Sequence, residues 1–280
     1  MRTRNFVRLT NGEVEEYLTQ NDLIFVPVGV VETHGSLPLD CETVLAEAVA
    51  MKMAEEAGGL YLTGLPYFFA GATAVARGTV NVSIAGGTAY LGEIARSLFK
   101  QGFRRQIYIT FHGPGQLTVG PMIREFFEET KAPIIYIDGS GAARKAGNIF
   151  VNPESGYDLF AGAYQMRGCL DSIPVDLPES DSVHYGDPAA LKHGADFAKN
   201  IFALGHHSCT VGYYFDVPKE HVPTIRIKTR EELEEHAKQG IALIESLVKF
   251  LDIKDIAGKL RRLDQHMNED VIPKHPHLSR

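Results

Sequence analysis

The feature that most constrains this chain is the alternation of short apolar segments with longer amphipathic ones. The first apolar segment, residues 23–31, is continuous, as in a strand that is buried on both faces. Further strand-like segments start at residues 60, 106 and 133, and helical periodicity covers residues 43–57, 91–101 and 122–130. This alternation predicts an α/β fold, a three-layer α/β/α sandwich around a mostly parallel central sheet.

The second half of the chain has a less regular pattern. Residues 139–187 are rich in Gly, Ser, Pro and Asp, which predicts irregular structure lying over the sheet. A helix is predicted at residues 188–202, a strand at 210–217 and a long amphipathic helix at 230–251. With no clear linker, we expect one domain over residues 1–263. The polar residues 264–280 are expected to form a tail or an arm onto a neighbouring subunit.

Composition excludes several classes of function. The chain has 28 basic and 35 acidic residues, a net charge of −7, which disfavours a nucleic-acid partner. No apolar run approaches the roughly 20 residues that cross a bilayer, so we expect no membrane partner. The N-terminus has no apolar signal segment, and the three cysteines are widely spaced, which indicates a cytoplasmic protein. Motifs for phosphate loops, dinucleotide binding and serine hydrolases are missing.

Carboxylates and imidazoles follow two of the predicted strands. Glu32 and His34 come after the first strand and, being two residues apart, point the same way. Glu42 stands where the next helix begins, and His112 follows the third strand in a glycine-containing turn. Ligands bind beyond the carboxyl ends of parallel strands. These four side chains suit Zn, Mn or Fe, and we predict a divalent metal site.

The same residues have an ordinary structural interpretation. A glutamate at a strand end can cap a helix or pair with an arginine, and a lone buried histidine such as His112 is commonly a hydrogen-bonded structural residue. Spacing alone leaves both interpretations open.

Residues 27–39, PVGVVETHGSLPL, resemble the first signature of the creatininase family, P-V-G-x-x-E-x-H-G-x-H-L-P-L-x-x-D. The likeness continues through GTVNVS at 78–83, GFRR at 102–105, the strand before His112 and GDP at 186–188, and so spans most of the chain. The resemblance implies a three-layer α/β fold and metal-dependent hydrolysis of small cyclic or formyl amides. It also implies one or two metal ions per chain and a closed homo-oligomer, usually a hexamer.

Carried over residue by residue, the resemblance places the family's first Glu, first His and later His at Glu32, His34 and His112. The family's bridging Asp falls on Glu42, within a segment that is one residue shorter here. A glutamate is one methylene longer than an aspartate, which can offset the shorter loop. Asp40 is the alternative ligand.

Other positions depart from the family pattern. The later signature H-A-G-x-x-E-T-S aligns with residues 160–167, where only Ala-Gly is retained. Phe160 then replaces the histidine that assists proton transfer, and Gln165 replaces the glutamate of the second metal position. Some family members take this ligand from the turn after the later histidine, two residues beyond it. In this chain that position is Pro114. We predict a single metal or an altered pair, with Gln165 as a further neutral ligand, and a substrate other than creatinine.

These departures leave the proton donor open. Alternatives elsewhere in the chain are His184, His206, His207, Glu154 and Asp158. The competing functional hypothesis is a non-catalytic family member that binds a ligand in its pocket or serves as an assembly subunit.

Overall fold

The computed structural model describes residues 1–147, 153–177, 201, 211–217 and 227–278 of the chain. Its strands are β1 (Leu23–Pro27), β2 (Leu60–Tyr61), β3 (Arg105–Thr110) and β4 (Ile135–Asp138). They pair in the order β2-β1-β3-β4, and every pairing is parallel. The predicted α/β fold with a parallel central sheet is confirmed.

Helices surround this sheet. Over the described ranges they are α1 (Asn11–Leu18), α2 (Cys41–Ala57), α3 (Ile84–Gln101), α4 (Gln116–Thr130), α5 (Gly139–Lys145), α6 (Pro153–Met166), α7 (Arg230–Leu251) and α8 (Ile253–His266). Local residues fix several of their ends. Gly58 and Gly102 end α2 and α3 with φ of 70° and 109°, which a residue without a Cβ adopts readily. Thr229 caps α7 by accepting a hydrogen bond from the Glu232 amide.

The two central strands, β1 and β3, are buried along their whole length. Alternate residues of a strand point to opposite faces of the sheet. Leu23 and Phe25 of β1 belong to one hydrophobic core, which they share with α2, α6, α7 and α8. Ile24 and Val26 belong to a second core, which they share with α1, α3 and α4. The described part of the chain thus has three layers, with helices packed on both faces of the sheet.

The prediction of irregular structure over residues 139–187 is wrong at α5 and α6. In α6, Gly162 lies against α7, and a Cβ on Gly240 of α7 would come within 1.7 Å of the Asp158 carbonyl oxygen. The glycines in this region therefore allow two helices to cross closely, a role that composition alone does not distinguish from a loop.

One further prediction is wrong. Residues 211–217 contain no strand; there the Phe215 amide donates to the Ala72 carbonyl oxygen at 3.0 Å. The predicted helix at 188–202 lies outside the described residues, apart from residue 201. The predicted end of the domain at residue 263 falls inside α8, and Asp264 pairs with Arg104 at 3.7 Å. Among the helices that the structure describes, none is both long and apolar enough to cross a bilayer.

Candidate metal centre

The site lies at the carboxyl ends of β1 and β3, which are neighbours in the sheet. After β1 the chain forms a compact loop, in which the Glu32 amide donates to the Leu39 carbonyl oxygen at 3.0 Å. Helix α2 then begins at Cys41, so Glu42 lies in its first turn. His112 follows β3 by two residues. The topology therefore brings residues from both strand ends to one edge of the sheet.

Four predicted ligand residues meet there. His112 Nδ1 lies 2.8 Å from Glu42 Oε2 and 3.2 Å from Glu32 Oε1. His34 Nε2 lies 3.6 Å from Glu42 Oε1 and 3.7 Å from Glu32 Oε1. Ligand atoms of Glu32, His34 and Glu42 all lie within 4.8 Å of one another. His112 joins this group through both carboxylates.

Backbone carbonyl groups fix the orientation of both imidazoles. His34 Nδ1 lies 3.1 Å from the Glu32 carbonyl oxygen, and His112 Nε2 lies 2.9 Å from the Phe69 carbonyl oxygen. Because a carbonyl oxygen only accepts hydrogen bonds, these two nitrogens carry the protons. In the neutral form, His34 Nε2 and His112 Nδ1 then present lone pairs toward the carboxylates, as metal-binding histidines do.

Burial and charge act against each other on these groups. Burial alone would raise the pKa of Glu42, but His112 and His34 lower it to about 2. Burial alone would lower the pKa of His112, but Glu32 and Glu42 raise it to about 10. The pKa of His34 rises as well, against burial, because of Cys41 and Glu42. The carboxylates thus require positive charge beside them, which protons or a cation can provide.

The donor set fits a divalent ion. Two carboxylates and two imidazoles are ligands that Zn, Mn and Fe accept. The two oxygens of Glu42 face different histidines, an arrangement that allows one carboxylate to bridge two positions. Cys41 is fully buried next to Glu42, and burial raises the pKa of its thiol, which favours the protonated form.

Asp40, the alternative to Glu42, points elsewhere. It is exposed at the N-cap position of α2 and accepts a hydrogen bond from the Tyr164 hydroxyl. Glu42 has only 13% of its side chain exposed and faces both histidines. The geometry favours Glu42 over Asp40.

Gln165 lies on the same helix as Phe160 but on a different face. Phe160 of α6 is buried, and its ring centroid lies 6.2 Å from that of His34. A residue five positions further along a helix is rotated by about 140°, so Gln165 points away from the face that carries Phe160. Gln165 is accordingly exposed. This placement does not support Gln165 as a ligand, and that assignment stays a prediction.

Of the predicted proton donors, only the Asp158 side chain belongs to the part of the chain that the structure describes. His184, His206 and His207 lie outside the described residues. Asp158 Oδ1 lies 2.5 Å from His236 Nδ1, in a contact between α6 and α7. Asp158 therefore serves the packing of these two helices.

A cavity of about 260 Å³ lies above the carboxylates and His112. Glu32, Glu42 and His112 reach its surface, and its walls include Phe69, Pro114, Thr73, Tyr213 and Phe215. Sequence analysis missed Thr73 and Tyr213, because no motif marks either residue. The alternation of Val211, Tyr213 and Phe215 was the available signal, but it predicted a strand. Instead, these three residues line the cavity.

Comparison with known proteins agrees with this architecture. A curated relative, the 3-dehydro-scyllo-inosose hydrolase of Thermotoga maritima, is 30% identical over 139 residues, which cover 48% of this chain and 43% of the relative. The chain thus matches less than half the length of that relative.

Solved structures show the same fold. A crystal structure of creatinine amidohydrolase (creatininase) superposes with a TM-score of 0.64 at 18% identity, covering 93% of this chain and 99% of the other. A structure described as creatininase Mn gives a TM-score of 0.62 at 18% identity, covering 94% and 99%. At this identity the likeness concerns the fold alone.

The family model for creatininase, described as creatinine amidohydrolase, matches residues 7–240. That range contains β1–β4, both strand ends and the four clustered residues. The match confirms the predicted family. The chain belongs to the creatininase family.

Proposed function

We propose that this chain is a metal-dependent hydrolase of a small carbonyl compound. The observation that carries the proposal is the convergence of four side chains, of which three line a cavity of about 260 Å³: Glu32, Glu42 and His112 line it, and His34 lies against the two carboxylates. Backbone carbonyl oxygens orient both imidazoles, which is typical of metal-binding histidines and is not required in a simple ion pair. We propose these four residues as the ligands of one or two divalent ions, Zn, Mn or Fe.

A divalent ion in this position supplies an activated water and polarises a carbonyl group. The chain's own residues hold and orient the reactants. Glu42 and Glu32 provide the negative charge that retains a cation, and the Phe69 carbonyl keeps His112 in the tautomer that can bind it. Phe69 and Phe215 in the cavity wall help to exclude bulk water from the substrate.

We propose a small cyclic or formyl amide, other than creatinine, as the substrate. Phe160 stands at the position of the family's assisting histidine and has no exchangeable side-chain proton, while Pro114 in the cavity wall cannot bind a metal. Both features argue against the family's creatinine chemistry. The Thermotoga maritima relative favours a second candidate, hydrolysis of a 3-dehydro-inosose of the kind named for that enzyme.

We also propose a cytoplasmic homo-hexamer with no nucleic-acid or membrane partner. The support is the net charge of −7 and the family resemblance in the sequence.

Activity assays on metal-stripped and reloaded protein test the proposal. The protein is loaded with Zn, Mn or Fe and offered cyclic amides, formyl amides, creatinine and 3-dehydro-scyllo-inosose. We expect metal-dependent turnover of a small amide that is lost in Glu32→Gln. Asp40→Asn serves as the control, since it changes a carboxylate that is near the site but points away from it.

The other outcomes are distinct. Turnover of the inosose alone would select the second candidate. Metal binding without turnover of any compound would contradict hydrolysis and favour the non-catalytic alternative. Measurable creatinine hydrolysis would show that the substitutions at Phe160 and Pro114 do not exclude that substrate.

A further inference from the structure

A threonine hydroxyl donates a hydrogen bond to Oε2 of Glu32, whereas the two histidines lie near Oε1. Thr73 lies in the short turn Gly71–Val75, which forms part of the cavity wall, and its side chain is 2% exposed. We propose that Thr73 is a positioning residue that holds Glu32 in a one-oxygen mode of metal binding. This inference rests on the proposed function.

The hydroxyl has one proton and two acceptors within reach. It donates to Glu32 Oε2, and the Ala70 carbonyl oxygen lies 3.2 Å away. A carboxylate is the stronger acceptor, because a hydrogen bond to a charged oxygen is roughly twice as strong as one between neutral groups. The Thr73 hydroxyl therefore donates its hydrogen bond to Glu32 Oε2 and not to the Ala70 carbonyl oxygen.

The two oxygens of the Glu32 carboxylate therefore have different partners. Oε2 is held by Thr73, while Oε1 lies 3.2 Å from His112 Nδ1 and 3.7 Å from His34 Nε2. Oε1 is thus the Glu32 oxygen that lies near both imidazoles, where a cation fits. A carboxylate that binds through one oxygen takes a single coordination position, which leaves another for water or substrate.

The turn that carries Thr73 is itself supported by the histidine turn. Gly71 has φ of 75°, and a Cβ on Gly71 would lie 3.1 Å from Pro114 Cγ. Pro114 therefore packs against the turn that places the Thr73 hydroxyl over Glu32. Where the family resemblance would put a ligand, this chain has a residue that supports the positioning of another ligand.

Zinc titration of the full-length, metal-stripped protein tests this role. Thr73→Val keeps the shape of the side chain but removes the hydroxyl, and Thr73→Ser retains the hydroxyl. We expect Thr73→Val to weaken Zn²⁺ binding about 10–100-fold, as loss of an outer-shell partner does, and Thr73→Ser to restore most of the affinity. Thr118→Val is the matched control, because the fully buried Thr118 hydroxyl donates only to the Gly115 carbonyl oxygen at 3.0 Å.

A spectroscopic readout separates positioning from general damage. Co²⁺ bound to Thr73→Val should show weaker visible absorption than Co²⁺ bound to the wild type, because a released Glu32 can bind through both oxygens and raise the coordination number. If Thr73→Val does not fold, Thr73→Ala provides the same comparison.

Unchanged Zn²⁺ affinity and an unchanged Co²⁺ spectrum in the folded variant would overturn the role of Thr73 while leaving the proposed function in place. Failure of the wild type to bind Zn²⁺ would overturn both.

Discussion

Removal of the Glu42 side chain is the sharpest single perturbation of the proposed centre. Its oxygens lie 2.8 Å from His112 Nδ1 and 3.6 Å from His34 Nε2, so Glu42→Ala leaves Glu32 as the remaining carboxylate beside the imidazoles. Loss of an outer-shell partner already costs about 10–100-fold in metal affinity. Loss of a direct ligand should therefore weaken Zn²⁺ binding by more than about 100-fold, or about 2.8 kcal/mol.

The competing interpretation gives a different magnitude. If Glu42 only complements the N-terminal end of α2, its removal changes folding stability by about 0.3–1 kcal/mol and leaves the metal bound. Calorimetric Zn²⁺ titration, metal content after dialysis and urea unfolding distinguish these results.

Asp40→Ala is the control for Glu42→Ala. Asp40 lies two residues earlier, is exposed and contacts Tyr164, so its removal should leave Zn²⁺ affinity unchanged. Full metal retention in Glu42→Ala would refute the reasoning. The reverse pattern, with metal lost in Asp40→Ala alone, would assign the ligand role to Asp40.

Three further predictions concern stability and assembly. Gly240→Ala should lower the free energy of unfolding in urea by about 1–3 kcal/mol or more, because the new Cβ would clash with the Asp158 carbonyl. Gly258→Ala is the control, since the space around Gly258 is open and the change should not destabilise the protein. Equal effects of the two substitutions would contradict this prediction. Chelator-treated protein should lose stability as the pH rises from 6.5 towards 10, because the pKa of His112 is raised to about 10 and its stabilising charge is lost over that range; a flat profile would contradict this. Light scattering should give about 185 kDa, six times the chain mass of 30.8 kDa, and a value near one chain mass would exclude the hexamer.

Local chemistry explains which elements the sequence could predict. Helices α2 and α3 end where the predicted periodicity ends, at residues 57 and 101. Gly58 and Gly102 follow them as left-handed C-caps, which depend on one residue and its neighbours. Helix α6 was not predicted, because its glycine Gly162 is typical of a loop. Gly162 instead allows close contact with Gly240, a residue far along the chain, which the local sequence does not reveal. In residues 211–217, the apolar alternation reflects contact with the cavity rather than a sheet.

The site shows the same division between local and non-local information. Glu32, His34, Glu42 and His112 could be expected together because parallel strands end at one edge of a sheet. The helix face that Gln165 occupies could not be predicted, because two retained residues of a motif do not establish how a side chain is oriented on a helix. Thr73 and Glu32 are 41 positions apart in the sequence, and no sequence pattern predicts their contact.

An anomalous diffraction measurement at the zinc edge, on crystals of the Zn²⁺-loaded protein, tests the central claim most directly. The account predicts one or two peaks at the strand ends, with His34 Nε2, His112 Nδ1 and oxygens of Glu32 and Glu42 at about 2.0–2.2 Å. No peak at that position, or a peak held only by other residues, would contradict it.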